Sequence, residues 1–413
     1  MPKNVRTSAV FVTAYVTCML LPDTWSAGLH LGEVPIAAIL MAILSCALIV
    51  HQLSTPGDLS FGVVAGTAAL VAMMALGCFR GNIETFSLKF FMADIYSFTG
   101  LLLGYAVVRE RGVEGSLQTA SQIAVIASIT VVTGYLGIFS GLITPMFAEN
   151  SGRLVTLSIF EATVVLLIIL PMASVAQSGK STSLMLLIAC AATLLSGTRS
   201  MLILTVLTGV ICLILRPRRV DIRFVMQLTG GVALTVAVYI FSLARFNSNV
   251  FQRLASSQGS SESRIIELLL FWGQISDDLT IGQGMGSRFA TNVFAGAGGD
   301  PLASAPHIGI VTLLMKGGIG AFLAFIVLPL FIAVIVSLSK SQSRLRRAGA
   351  GSVLLYLALA CQSGGWDPLY LFIYGMAISV TVNGARRHVL RSLASGRNAD
   401  SHLHDAFSPL EER

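Results

Sequence analysis

Long apolar runs recur along almost the whole chain and constrain its fold more than any motif does. A helix needs about 20 mostly apolar residues to cross a bilayer, and about twelve such runs are present. They fall near 7–22, 35–50, 59–79, 90–108, 117–139, 155–176, 183–196, 200–215, 224–243, 307–338, 348–362 and 368–384, with 183–196 and 348–362 notably short. In hydrocarbon every backbone amide must be bonded within its own segment, so these runs form helices and not open sheet. Charged residues make up 11% of the chain, against roughly 25% in a soluble domain. The expected fold is all-α: a polytopic integral membrane protein of about 12 transmembrane helices. Residues 1–385 read as a single transmembrane helical domain, and 386–413 as a basic, then polar, cytoplasmic tail. Lys3 and Arg6 resemble the start of a signal peptide. No cleavage-site pattern follows, so an uncleaved first helix is expected.

The loop cations set the expected orientation. With the N-terminus inside, Lys and Arg divide 18 to the inner loops and 8 to the outer ones, with Lys316 left in the membrane. Both termini are therefore expected in the cytoplasm, and the one long loop, 244–306, in the periplasm. The same distribution accounts for the +7 net charge with no nucleic-acid partner, since basic inner loops face anionic membrane lipids.

A structureless loop that long is usually functional or disordered. Residues 256–263 read as a flexible turn, and 264–272 as an amphipathic stretch ending in Trp272, suited to the membrane interface. Gly282-Gln283-Gly284-Met285-Gly286 follows, then Gly296-Ala297-Gly298-Gly299. No strand and crossover helix surround the glycine triplet, so a dinucleotide site is not expected. There is no Walker loop, no zinc-hydrolase helix and no Asp-rich cluster, and no cofactor or metal is expected. The six cysteines all lie in apolar runs without metal-ligand spacing and read as small core residues.

The residues able to carry chemistry gather on the expected outer side. Arg199 opens an apolar helix after the turn Ser196-Gly197-Thr198. A guanidinium pairs bidentately with phosphate, and a helix N-terminus favours an anion, although a snorkelling arginine at the membrane boundary would look the same. Arg264 begins the amphipathic stretch and could bind an anion, or make a surface ion pair with Glu267 three residues on. Arg245, Arg253 and Arg288 share the loop and could meet an anionic headgroup. His307, after Pro306 at the mouth of a long apolar helix, can take a proton from a hydroxyl nucleophile or simply cap the helix. Asp94, Glu161, Lys316 and Asp367 lie in or near apolar runs, where charge is costly. Structural pairing, for instance of Lys316 with Glu161 or Asp94, is the favoured expectation; an ion path is the other. Asp367, after Gly364-Gly365-Trp366, is expected at the outer boundary.

Three motifs in order then resemble the bacterial O-antigen ligase and polysaccharide polymerase family. Leu194-Leu195-Ser196-Gly197-Thr198-Arg199-Ser200 is similar to its Ser/Arg turn. Ser263-Arg264 followed by Ile281-Gly282-Gln283-Gly284-Met285-Gly286 is similar to its outer-loop stretch. Pro306-His307 through Leu313-Leu314 to Gly317-Gly318-Ile319-Gly320 is similar to its histidine-led helix. The resemblance covers about 180–335. Two departures stand out: Ile308-Gly309 follows the histidine where relatives often carry a small polar residue and an aromatic, and Lys316 stands where many carry Glu.

The resemblance implies a metal-independent membrane glycosyltransferase of the bacterial inner membrane with its site facing the periplasm. It implies an undecaprenyl-diphosphate-linked saccharide as donor, and the lipid A core or a growing glycan as acceptor. By position, Arg199 and Arg264 would bind the diphosphate and His307 would act near the acceptor hydroxyl. Ser196, Thr198, Arg245, Arg253 and Arg288 are candidate substrate-binding residues. The competing expectation is a secondary transporter or flippase of lipid-linked saccharide, built on Asp94, Glu161 and Lys316.

Overall fold

A computed structural model describes residues 30–31, 34–35, 50, 61–80, 88–144, 155–176, 179–215, 240, 260–290, 302–303, 308–339, 342–362 and 366–383. Helices dominate them: α1 (Phe61–Arg80), α2 (Leu88–Phe139), α3 (Leu157–Ala176), α4 (Gly179–Ser196), α5 (Arg199–Leu215), α6 (Ser260–Ile275), α7 (Thr312–Phe322), α8 (Leu328–Leu338), α9 (Arg344–Ala360) and α10 (Pro368–Asn383). Two antiparallel pairs of two-residue strands complete the set: β1 (His30–Leu31) with β2 (Val34–Pro35), and β3 (Phe289–Ala290) with β4 (Leu302–Ala303).

Among the described residues, four segments are long and apolar enough to cross a membrane: Phe90–Arg109, Arg111–Phe139, Ser158–Ala176 and Gly309–Leu338. Val64–Arg80, Ser181–Ser196, Ser200–Leu215 and Pro368–Asn383 are shorter apolar helices. The expected run 7–22, nearly all of 35–50 and of 224–243, and the tail 386–413 lie outside the described residues. The runs expected at 90–108 and 117–139 are two limbs of α2, which breaks at Gly112 in the left-handed region (φ 69°). Gly309–Leu338 is likewise interrupted, by Gly318 (φ 66°) and by a π-helical turn at Leu323–Val327.

Burial sorts the helices into layers. α10 is enclosed on nearly all sides, and Val164 to Ala173 of α3 have almost no exposed surface. Glycines let α10 approach α2 closely. A Cβ at Gly104 would lie 1.9 Å from the Phe372 carbonyl oxygen, and one at Gly375 2.0 Å from that of Leu101. Small residues are the usual device for helix contact in lipid, where hydrophobicity alone drives no association. α5 and α8 instead expose Leu202, Val206, Val210, Phe331 and Ile335. Apolar side chains directed outward from a packed bundle suit a hydrocarbon surround.

Polar groups inside the bundle are bonded locally. The hydroxyls of Thr99, Ser128, Thr163, Thr208 and Thr381 each donate to the carbonyl four residues back, a common way to satisfy hydroxyls in apolar helices. Between helices, Tyr135 donates to the Ala192 carbonyl at 3.1 Å, and Tyr374 donates to that of Phe325, within the π-helical turn, at 2.6 Å. No disulfide forms among the described cysteines.

Candidate functional site

The break in α7 organises one end of the bundle. Around Gly317-Gly318 the helix gives up its regular bonds, and the freed groups pair with 279–284. Gln283 and Gly284 donate their N–H groups to the carbonyls of Met315 (2.7 Å) and Lys316 (3.1 Å), while Ile319 donates to Leu279 (2.8 Å). The glycine triplet turns because Gly282, Gly284 and Gly286 all have φ near +80°, a region other residues rarely enter. It also packs backbone on backbone. A Cβ at Gly284 would fall 2.1 Å from the Gly77 nitrogen, and one at Gly77 2.1 Å from the Met285 carbonyl oxygen. Met285 donates to the Met73 carbonyl at 3.0 Å, so the turn is wedged between α1 and α7.

Beneath it lies a buried charge cluster. Lys316 Nζ is 2.8 Å from Asp94 Oδ2, both side chains almost fully enclosed. Asp94 Oδ2 also accepts from the Gly286 N–H at 2.8 Å, and Oδ1 accepts from Trp366 Nε1 at 2.9 Å. Lys316 donates to the Ser287 carbonyl at 2.6 Å. Four separate segments thus meet on one ion pair: α2, α7, the glycine turn and the entry to α10. Of the two pairings expected for Lys316, the structure makes the one with Asp94. Nothing in the sequence singled out Trp366 or Gly77, since their partners lie far along the chain.

The surrounding rim is more open. Arg80, at the end of α1, donates to Asp278 Oδ1 at 2.7 Å and to the Gly282 carbonyl at 3.1 Å. Arg288 sits over the Phe90 ring, 5.9 Å from its centroid. Asp367 caps α10, with Oδ1 accepting from Leu369 N at 2.8 Å and Tyr370 N at 3.3 Å. Burial pushes its carboxyl up to about 6 while those two amides pull the other way. Glu161 of α3 interacts electrostatically with Tyr370, which brings the start of α3 to this same end.

α6 lies along the rim with an unexpected polarity. It buries Glu267, Phe271 and Ile275 and exposes Ile265, Ile266, Leu268, Leu269 and Trp272. Phe271 packs edge-on against Phe289, with Met315 of α7 beneath. Glu267, the neighbour considered from sequence for a surface ion pair with Arg264, faces inward, and the outward face is the apolar one.

The other candidate residues stand as follows. The main chain of Arg199 opens α5 and that of Arg264 lies in the second turn of α6, but their side chains lie outside the described residues, as do Arg245, Arg253 and His307 entirely. His307 directly precedes Ile308, where the segment leading into α7 begins. Ser196 is buried; its hydroxyl donates to the Thr193 carbonyl at 2.8 Å and accepts from Thr198 N at 3.4 Å. Thr198 donates to the Ser196 carbonyl at 3.4 Å. Both hydroxyls shape the turn at Gly197 (φ 61°) that delivers Arg199 to the start of α5. Among the described residues no three His, Cys, Asp or Glu side chains gather about a common metal position. No protein-family model, curated protein or solved structure matches the chain.

Proposed function

We propose that this protein is a membrane glycosyltransferase that moves a saccharide from undecaprenyl diphosphate onto an acceptor hydroxyl at the periplasmic face of the bacterial inner membrane. One observation carries the reading. The glycine turn pins α6, whose outward face is apolar, against the start of α7, which His307 precedes, at the same end of the bundle as Trp366 and Asp94. A long polyprenyl chain would lie along such a face, with its diphosphate at the rim.

In this reading the acceptor oxygen attacks the anomeric carbon, the bond from that carbon to the diphosphate oxygen breaks, and His307 takes the hydroxyl proton. Arg199 and Arg264 meet the charge developing on the leaving undecaprenyl diphosphate, which is transition-state electrostatics. A positioned base contributes typically about 10²–10⁴-fold. The acceptor is the lipid A core or a growing glycan, both of which take the saccharide by the same donor chemistry.

The test is the lipopolysaccharide and secreted polysaccharide of a deletion strain complemented with wild type or His307→Ala. Polymer lost from lipid A and accumulating on the lipid carrier supports a ligase. Single repeat units replacing long chains support a polymerase. Normal glycan from the His307→Ala strain refutes the transferase, and the transporter built on Asp94, Glu161 and Lys316 would take its place.

A further inference from the structure

The end of the bundle opposite Asp94–Lys316 carries a second concentration of charge. α9 begins there with Arg344, Arg346 and Arg347 in its first turns and no acidic residue among them. That order is electrostatically adverse. The N-terminus of a helix bears partial positive charge and favours anions, and here it meets three cations.

Arg346 has a structural role. Its Nε donates to the Thr381 carbonyl in the last turn of α10 at 2.7 Å, and its Nη1 is bonded to Gln342. Arg344 and Arg347 differ. Each has a buried Nε with no hydrogen-bond partner, and a buried donor left unmade costs about 1–3 kcal/mol. Ser343 caps α9 by accepting from Arg346 N at 3.3 Å, so the first turn is fixed in place.

The two guanidiniums share a face. Residues three and four apart stack on one side of a helix, so 344, 347 and 351 align. Gly351 points between α5 and α3, since a Cβ there would lie 2.6 Å from Ile211 Cγ2 and 3.6 Å from Pro171 Cβ. At about 1.5 Å rise per residue in antiparallel helices, Arg347 is level with the last turn of α5 and the end of α3. The spanning segment Gly309–Leu338 ends a few residues before α9 begins. The anion normally found at the end of a membrane span is a lipid phosphate.

We propose that Arg344 and Arg347, with the N-terminus of α9, form a binding site for the phosphodiester headgroup of an anionic phospholipid. The headgroup accepts from the two orphaned N–H groups and neutralises the cations massed at the helix start. Its acyl chains lie against the adjacent apolar helices. The site is independent of the transfer reaction proposed at the other end.

The test uses full-length, delipidated protein in mild detergent, with the thermal midpoint followed as lipid is added in mixed micelles. Phosphatidylglycerol should raise the wild-type midpoint, whereas phosphatidylcholine and inorganic phosphate should not. Arg344→Gln/Arg347→Gln should weaken the phosphatidylglycerol response by roughly fivefold for each charge removed. Equal responses to phosphatidylglycerol and phosphatidylcholine in the wild type would overturn the proposal without any variant. So would an undiminished response in the double variant. A matching response to inorganic phosphate would overturn the lipid assignment in favour of a free anion. If the double variant does not fold, Arg347→Lys, which keeps the charge and loses the planar fork, should still bind more weakly; unchanged binding would contradict the site.

Discussion

Asp94 and Lys316 form an enclosed ion pair at 2.8 Å whose two ends are held from different segments, Asp94 by Gly286 and Trp366 and Lys316 by the Ser287 carbonyl. The pair is asymmetric in its support. Asp94→Asn leaves an ammonium buried with no counter-ion, whereas Lys316→Met leaves a carboxylate that keeps two donors. Breaking a buried pair typically costs about 3–5 kcal/mol, so Asp94→Asn should fall in that range and Lys316→Met below it. The double variant should cost less than the sum. Thermal unfolding in detergent measures all three, and strictly additive losses would show that the two side chains are not coupled.

The close approach at Gly77 predicts a contrast between two glycine-to-alanine changes in helices. Gly77→Ala puts a methyl 2.1 Å from the Met285 carbonyl oxygen, whereas nothing lies within 4 Å of a Cβ at Gly209. Gly209→Ala should therefore be neutral or stabilising by up to about 1 kcal/mol. Gly77→Ala should destabilise and expose the 279–288 turn to proteolysis. Equal behaviour of the two variants would mean that the turn is not wedged against α1.

Trp366 joins the entry of α10 to Asp94. Trp366→Phe keeps an aromatic ring beside Phe98, which lies 6.5 Å away between centroids, and removes the indole N–H. Hydrogen bonds to charged groups contribute about 1.5–3 kcal/mol, and a loss of that size is expected. A loss near zero would remove Trp366 from the cluster.

Asp367 makes stability depend on pH with a defined sign. Its folded-state value, about 6, lies above the ordinary 3.8, so the folded protein holds this proton more tightly than the unfolded chain. The contribution is therefore complete below 3.8, is lost as pH rises to about 6, and is flat above that. Asp367→Asn retains a capping oxygen and should flatten the curve across this window, as followed by denaturant unfolding from pH 4 to 7. An unchanged slope would place the proton elsewhere.

The described helices were legible because hydrocarbon allows few alternatives to a long apolar run, and the division of α2 was visible in the charged stretch around Gly112. Lys316 was legible as a buried charge but its partner was not, since Asp94 and Glu161 are both acids in apolar helices and only packing selects between them. The glycine triplet looked weak because its meaning lies in surfaces remote in sequence, Gly77 on α1 and Gly318 on α7. The inward direction of Glu267 was hidden for a related reason. Helical spacing gives its neighbours on α6, but not which face the fold turns inward when the surround is lipid.

One measurement reaches the transfer of sugar most directly. Purified protein in proteoliposomes would be given an undecaprenyl-diphosphate-linked oligosaccharide and an acceptor glycan, with release of undecaprenyl diphosphate and growth of the acceptor followed together. Transfer by wild type, and its loss in folded Arg199→Ala, Arg264→Ala and His307→Ala variants, is the predicted result. Undiminished transfer by the His307→Ala protein, or movement of the intact donor across the bilayer with no sugar transferred, would contradict it.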